Sequence, residues 1–161
     1  MTSPMSREVP DVPTAHPLRL YLPGAIPGRP RACFDGAWWP YSDDLGCQAV
    51  DLSRVVSARW NGRVERMTYD PSIWALTGRR LARPGPALRM GWFRSSEPYE
   101  VTLVMVDRRR VELVVVPPAT SPAGADWMMR RAVARGSVAH GKELIRLAGA
   151  RAPEDRDPWD C

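Results

Sequence analysis

The acidic residues around a pair of tryptophans are the side chains of this sequence best suited to catalysis. Asp35 precedes Trp38, and Asp43 and Asp44 follow it closely. Two carboxylates beside an aromatic ring can cleave a glycosidic bond, one as general acid and the other as nucleophile or general base. The structural alternative is that Asp35 binds backbone amides in a turn, while Asp43 and Asp44 favour the start of a helix. We favour the structural alternative.

Other catalytic and metal-binding chemistries find little support in the sequence. The only histidines are His16 and His140, so a nucleophile activated by a histidine is disfavoured. Glycine-rich phosphate loops, dinucleotide fingerprints and histidine pairs at metal-ligand spacing are absent. Cys33, Cys47 and Cys161 lie far apart, which disfavours a disulfide framework or a zinc site and favours free thiols in a reducing cytoplasm. We therefore expect no cofactor and no metal, and we lean towards a protein that is not an enzyme.

The basic residues suggest a binding function instead. The formal net charge is +5, and Lys142 is the only lysine among 23 basic residues. Such a skew towards arginine is typical of a GC-rich genome, so the charge by itself does not indicate a nucleic-acid-binding protein. The arginines nevertheless form three clusters, at Arg79, Arg80 and Arg83, at Arg108, Arg109 and Arg110, and at Arg130, Arg131 and Arg135.

The arrangement of these clusters in space decides between two interpretations. If they converge beside an exposed Trp39 or Tyr41, they form a basic groove with a stacking platform, which suits single-stranded nucleic acid. If they scatter, they are solvated charges on turns and on the outer faces of helices. We favour the scattered arrangement.

A strand, a stop and a helix start must position the tryptophan pair. Trp38 and Trp39 are neighbours, so in an extended strand they point to opposite faces. One is predicted to enter the core, and the other either closes the opposite face of the sheet or stays partly exposed as a contact surface. Gly36 permits backbone geometries that other residues resist, and Pro40 ends the strand because it has no N–H to donate. Ser42 is predicted to cap the helix that follows.

Two helical patterns flank a β-rich region. Apolar residues recur at steps of three and four over residues 43–60, which predicts an amphipathic helix packed on a sheet. The valine-rich runs 101–106 and 111–116 predict a central antiparallel pair covered on both faces. Ser121 and Pro122 begin a second helix, and a shorter one follows at about 141–148. Four further tryptophans are expected in the core: Trp60, Trp74, Trp92 and Trp127.

The order of elements predicts an α+β fold. We expect a mostly antiparallel, strongly twisted sheet of about six or seven strands with two or three helices, and the sheet could also curl towards a barrel. The predicted organisation is a disordered leader over 1–17, a single domain over 18–149 and a flexible acidic tail over 150–161. Because no apolar segment suits a signal peptide or a membrane span, we expect a cytoplasmic protein that does not contact a membrane.

Four motifs in this order carry a resemblance to a known family. They are the tryptophan-pair segment 35–45, Gly91-Trp92-Phe93-Arg94, Val101-Thr102-Leu103-Val104 and Val114-Val115-Val116-Pro117-Pro118. Together they resemble an uncharacterised actinobacterial family, domain of unknown function 5994, over about Leu18 to Gly136. The resemblance implies no established activity, cofactor or catalytic residue.

Three functional hypotheses follow. The first is a non-enzymatic interaction or regulatory module that contacts an acidic partner through an arginine-rich surface. The second is a nucleic-acid-binding protein that uses the same surface, and the third, least favoured, is a carboxylate-dependent hydrolase or ligand-binding domain with Asp35 or Asp70 near a pocket. The candidate interaction surface comprises Arg79, Arg80, Arg108, Arg109, Arg110, Arg130, Arg131, Trp39 and Tyr41. The candidate motif residues are Asp35, Gly36, Trp38, Trp39, Pro40, Gly91 and Trp92.

Overall fold

The computed structural model describes residues 17–23, 34–75, 80–81, 85–93, 96–134 and 140–151. The predicted leader up to residue 16, Cys33, Arg79 and the tail from residue 152 lie outside the described residues. The elements, in chain order, are β1 (Leu20–Tyr21), β2 (Gly36–Trp38), α1 (Leu45–Arg59), β3 (Val64–Thr68), a 3-10 turn (Pro71–Ile73), β4 (Arg80–Leu81), β5 (Leu88–Gly91), β6 (Glu100–Met105), β7 (Arg110–Val115), α2 (Pro122–Ala132) and α3 (Gly141–Arg151).

The strands form one mixed sheet in the order β1-β2-β7-β6-β3-β5-β4. Four pairings are antiparallel, whereas β2 pairs with β7 and β3 pairs with β5 in parallel. The predicted α+β class is therefore confirmed, but the prediction of a mostly antiparallel sheet is not. The two outer strands, β1 and β4, each pair with one neighbour among the described strands, so the sheet is open and the barrel alternative is not confirmed.

One face of the sheet packs against α1. Leu45, Ala49, Leu52 and Val56 recur along one side of this helix and are fully buried, as their spacing predicts. Trp38 is fully buried in the same cluster, where its ring stacks on that of Trp74 with a centroid distance of 5.5 Å. The tryptophan pair thus contributes its first member to the main core.

The helix α1 starts later than its sequence suggested. Asp44 is the N-cap, because its carboxylate accepts a hydrogen bond from the Gly46 amide at 3.0 Å. The predicted cap, Ser42, instead binds the Gln48 side chain through its hydroxyl and its carbonyl, both at 3.1 Å. The Gln48 side chain also accepts a hydrogen bond from the Tyr41 amide. Gln48 therefore closes the turn before the helix, and its amide group donates to Ser42 within this turn.

Removal of this cap should be measurable. We expect Asp44→Ala to lower the free energy of unfolding by about 1 kcal/mol, because it leaves the Gly46 amide without its acceptor. The adjacent carboxylate provides the control, and Asp43→Ala should change the free energy by under about 0.5 kcal/mol. Urea denaturation of both variants measures the difference, and a larger effect at Asp43 would contradict the assignment of the cap.

The opposite face of the sheet is covered only in part. The helices α2 and α3 pack there against β2 and the end of β7, with Met128 and Leu144 buried against Ala37 and Val114. Ser121 caps α2 by accepting a hydrogen bond from the Gly124 amide at 3.2 Å, as predicted. The amide of Gly141 at the start of α3 donates to the Glu100 carboxylate at 3.0 Å.

The strand β6 is covered on one side only. Its burial alternates, so Val101, Leu103 and Met105 are buried while Glu100, Thr102 and Val104 are half-buried. Arg110 and Glu112 on β7 are exposed on this same uncovered side. The prediction that both central strands are covered on both faces is wrong here, because the described helices on this side pack on β2 and the end of β7 and reach β6 only at its first residue, Glu100.

The further tryptophans behave differently from one another. Trp74 is buried, whereas Trp60 and Trp127 are half-buried against the two core clusters. Trp92 is 55% exposed, so its predicted core position is wrong. Leu88 and Met90 do alternate inward on β5, but the strand ends at Gly91 and the alternation no longer applies to Trp92. None of the described helices combines the length and apolar character that crossing a bilayer requires.

Candidate interaction surface

The uncovered part of the sheet presents the side chains of four adjacent strands: β7, β6, β3 and β5. These side chains point away from α1 and lie beyond α2 and α3. We call this surface the open sheet face, and it comprises Arg66, Thr68, Arg89, Gly91, Thr102, Val104, Arg110 and Glu112, flanked by Trp92 and Phe93.

Strand register aligns three arginines in one row. Arg66 lies opposite Arg89 on one side and opposite Val104 on the other, and Val104 lies opposite Arg110. With strands spaced about 4.8 Å apart, the row crosses about 14 Å of the sheet. Thr68 and Thr102 face each other in the next row. The sheet itself therefore brings together arginines that are distant in sequence.

Three shallow depressions cover this face and share their walls. The first, of about 260 Å³, lies between Arg66, Arg89 and the aromatic residues Trp92 and Phe93. The second, of about 430 Å³, shares Arg66 and Phe93 with the first and extends to Arg110. A third, of about 260 Å³, adjoins the second at Glu100 and reaches His140. Because neighbouring depressions share lining residues, we refer to the three together as the groove.

The arginines of the groove are largely unneutralised. Within the part of the chain that the structure describes, Arg66 and Arg110 make no ion pair and no side-chain hydrogen bond. Arg89 approaches Glu65 at 3.6 Å, but both side chains are at least 40% exposed, so solvent screens the pair strongly. Three guanidinium groups are therefore available to an anionic ligand.

Two large aromatic side chains stand beside these arginines. Trp92 is 55% exposed and Phe93 is 61% exposed, more than any other large hydrophobic residue described. The backbone amide of Phe93 donates to the Ser96 hydroxyl at 3.1 Å, and the Ser96 amide donates to the Phe93 carbonyl at 3.0 Å. This pair of hydrogen bonds fixes the backbone at Phe93, so the ring is presented from an anchored position.

The far end of the groove is acidic. Glu100 accepts the Gly141 amide at 3.0 Å and lies 3.2 Å from Nδ1 of His140, while Glu97 lies 3.8 Å from the Lys142 ammonium. Glu112 faces the same end. The groove is thus bipolar, with the arginine row crossing from β5 to β7 and the carboxylates displaced from this row along the strands, towards α3.

The described members of the three arginine clusters do not come together. Arg80 lies on β4 at one edge of the sheet, and four strands separate β4 from β2, which Trp39 directly follows. Arg79 lies outside the described residues, and nothing is described of the Arg80 side chain. Arg130 and Arg131 are exposed on α2, where Arg130 pairs with Asp126 at 3.1 Å.

The cluster of Arg108, Arg109 and Arg110 divides between the turn that joins β6 to β7 and the open sheet face. Arg108 lies in the turn between β6 and β7 with a positive φ of 70°. Arg109 ties this turn to α1, because it donates to the Trp60 carbonyl at 2.9 Å. Hydrogen bonds from Arg109, first from its backbone amide, hold the pKa of Asp107 below its ordinary value. Arg110 is the predicted surface residue that lies on the open sheet face.

Trp39 and Tyr41 both contact Arg19, a residue that sequence analysis did not identify. The guanidinium of Arg19 lies 3.7 Å from the centroid of the Trp39 ring and 3.9 Å from that of Tyr41. It also donates to the carbonyls of Trp39 at 3.0 Å and Pro40 at 2.6 Å. Burial lowers the pKa of Arg19 and nearby Tyr41 raises it, but arginine stays charged. Arg19 therefore covers one face of each ring.

The candidate catalytic carboxylates contact the backbone. Asp35 accepts the Glu112 amide at 2.9 Å, and its own amide donates to the Glu112 carbonyl at 2.8 Å, which extends the pairing of β2 with β7. Asp70 caps the 3-10 turn by accepting the Ser72 amide at 2.7 Å. No group of three or more His, Cys, Asp or Glu side chains in the described ranges could hold a metal ion.

Sequence analysis did not identify Arg66, Arg89 or Phe93 as surface residues, and neither of these arginines lies in a run of consecutive arginines. A signal for two of them exists in the sequence. Arg89 occupies the polar phase between Leu88 and Met90, and Arg66 directly precedes the buried Met67. Outward positions of strands that no helix covers are where a sheet presents binding side chains, but local sequence does not reveal which strands are uncovered.

A comparison with known families places the chain among proteins of unknown function. The sequence profile of a family of unknown function (DUF5994) matches residues 19–132, a range that contains all the described strands together with α1 and α2. Comparisons with curated proteins and with solved structures found no match.

Proposed function

The chain belongs to the DUF5994 family, whose function is unknown, and on that premise we propose that it is a non-enzymatic interaction module of the cytoplasm that contacts an acidic partner through its open sheet face. The observation that carries the proposal is the row formed by Arg66, Arg89 and Arg110 on a part of the sheet that no described helix covers.

Repulsion between the arginines of this row destabilises the protein when no ligand is bound. Arg66 and Arg89 are direct neighbours on adjacent strands, and like charges in that position destabilise a sheet. An anionic ligand would remove the repulsion and add charge-assisted hydrogen bonds, which are about twice as strong as neutral ones. A partner that carries several negative charges therefore gains more from this surface than a neutral one.

A catalytic role has weaker support. Asp35, Asp44 and Asp70 bind backbone amides, and none of them lines the groove. His140 does line it, but the ring lies against Glu100 at the start of α3. The surface thus offers cations and aromatic rings for binding, and we propose an interaction function in preference to hydrolysis.

Charge reversal on the row tests this proposal. We expect the double variant Arg66→Glu with Arg110→Glu to bind polyglutamate and polyphosphate about tenfold more weakly than the parent chain, because two exposed attractions become repulsions. Fluorescence anisotropy at about 50 mM salt, where screening is weak, measures the change.

The matched control reverses the same number of arginines elsewhere. Arg130→Glu with Arg131→Glu alters two exposed arginines on α2 and should leave the affinity within about twofold of the parent value. The proposal is wrong if neither polyanion binds at this salt concentration, or if the control loses as much affinity as the variant on the row. Circular dichroism of both double variants establishes that they fold.

A further inference from the structure

We infer that the acidic partner of the open sheet face is single-stranded nucleic acid, with bases stacked on Trp92 and Phe93 and phosphates paired with Arg66, Arg89 and Arg110. The inference rests on the proposed function and names the class of its partner.

The exposed aromatic pair distinguishes nucleic acid from an acidic peptide. Carboxylate side chains would use the three arginines but would leave the rings of Trp92 and Phe93 in water. Every nucleobase has a flat face that stacks on such rings, and stacking stabilises binding by about 1–3 kcal/mol per base. A ligand with both planar rings and negative charges therefore uses the whole surface.

Rings and cations line the same depressions, so a base and its neighbouring phosphate find their partners side by side. Trp92 and Phe93 line the depression that contains Arg66 and Arg89. Phe93 also lines the neighbouring depression, which contains Arg66 and Arg110. Thr68 and Thr102 lie in the row next to the arginines, where Thr102 is opposite Glu112. The two threonine hydroxyls form no hydrogen bond to any described residue, so they are available to base edges.

The shape of the surface favours a single strand over a duplex. Reading a duplex requires a helix or ribbon that enters its major groove, whereas the bases of a single strand are already open to stacking. The open sheet face is a shallow depression across four strands, and in the described part of the chain no helix projects from it. The open sheet face can therefore bind a single strand along its surface, but it offers no element to insert into the major groove of a duplex.

The acidic end confines the site to the arginine row. Glu97, Glu100 and Glu112 lie beside this row in the direction of α3 and would repel phosphates there, so the bound segment follows the row itself. The arginine row covers about 14 Å. A segment of about four nucleotides, the lower end of the range for single-strand-binding folds, fits this length.

The test uses the full chain with a fluorescent oligothymidylate of about ten nucleotides, a duplex of equal length, and polyglutamate, each at about 50 and about 200 mM salt. We expect the single strand to bind, and Phe93→Ala and Trp92→Ala each to weaken binding at least about fivefold. Val106→Ala is the control, because Val106 is also half-exposed but lies in the turn between β6 and β7.

The outcomes distinguish failure of this inference from failure of the proposed function. Binding of the single strand that Phe93→Ala weakens and Val106→Ala does not supports the inference. If polyglutamate binds and the oligothymidylate does not, the inference is wrong while the proposed function stands. If neither ligand binds, both are wrong. Equal affinity for the duplex, or unchanged affinity of both aromatic variants, also overturns the inference, because binding would then depend on charge alone.

Discussion

Replacing Trp38 with alanine is expected to lower the free energy of unfolding by about 3–5 kcal/mol. The indole is fully buried, stacks on Trp74 and belongs to a strand paired on both sides, with Leu20 and Val115 as its neighbours. A domain of this size is stable by only about 5–15 kcal/mol, so the loss is a large fraction of the total. Urea denaturation followed by circular dichroism measures it.

Trp92→Ala is the matched control for this experiment. The same side chain is removed, but at a position that is 55% exposed, so the expected change is under about 0.5 kcal/mol. The core role of Trp38 is wrong if Trp38→Ala remains fully folded with a loss of less than about 1 kcal/mol.

The second large effect is expected at Gly36. An alanine there would place its methyl group against the Tyr21 carbonyl oxygen and the Leu22 side chain. The carbonyl belongs to the backbone of β1 and cannot rotate away, so β1 and β2 must separate. We expect Gly36→Ala to lower the free energy of unfolding by about 3 kcal/mol, measured by urea denaturation.

Gly149→Ala is the control for Gly36→Ala. This glycine lies within α3, and a methyl group there would meet no described atom within 4 Å. Because alanine is the better helix former, Gly149→Ala should raise the free energy of unfolding by about 0.5–1 kcal/mol. The steric explanation at Gly36 fails if both variants change stability in the same direction by similar amounts.

The local elements of this fold were largely predictable from sequence. The valine-rich runs become β6 and β7, adjacent and antiparallel near the centre of the sheet, because they are joined by a short turn. The apolar steps from Leu45 to Val56 become the buried side of α1. Ser121 caps α2 as predicted. In each case neighbouring residues alone determine the structure.

The long-range pairings were not predictable in the same way. The parallel pairing of β2 with β7 and of β3 with β5 joins strands whose sequences contain no mark of the partner. The side of β6 that stays uncovered depends on where α2 and α3 pack, which is also a tertiary property. Of the candidate surface, sequence analysis therefore identified Arg110 but not Arg66 or Arg89, because strand order alone makes them neighbours.

The pairing of β2 with β7 also means that β2 is synthesised early but completes its place in the sheet late. Asp35 and the Glu112 amide that it binds are 77 residues apart in the chain. On the ribosome, β2 is synthesised long before β7. The strands β6 and β7 are close in sequence, so they can pair as soon as β7 has been synthesised. Until β7 pairs with β2, Trp38 has no neighbouring strand on that side, and its indole remains exposed to solvent in the nascent chain.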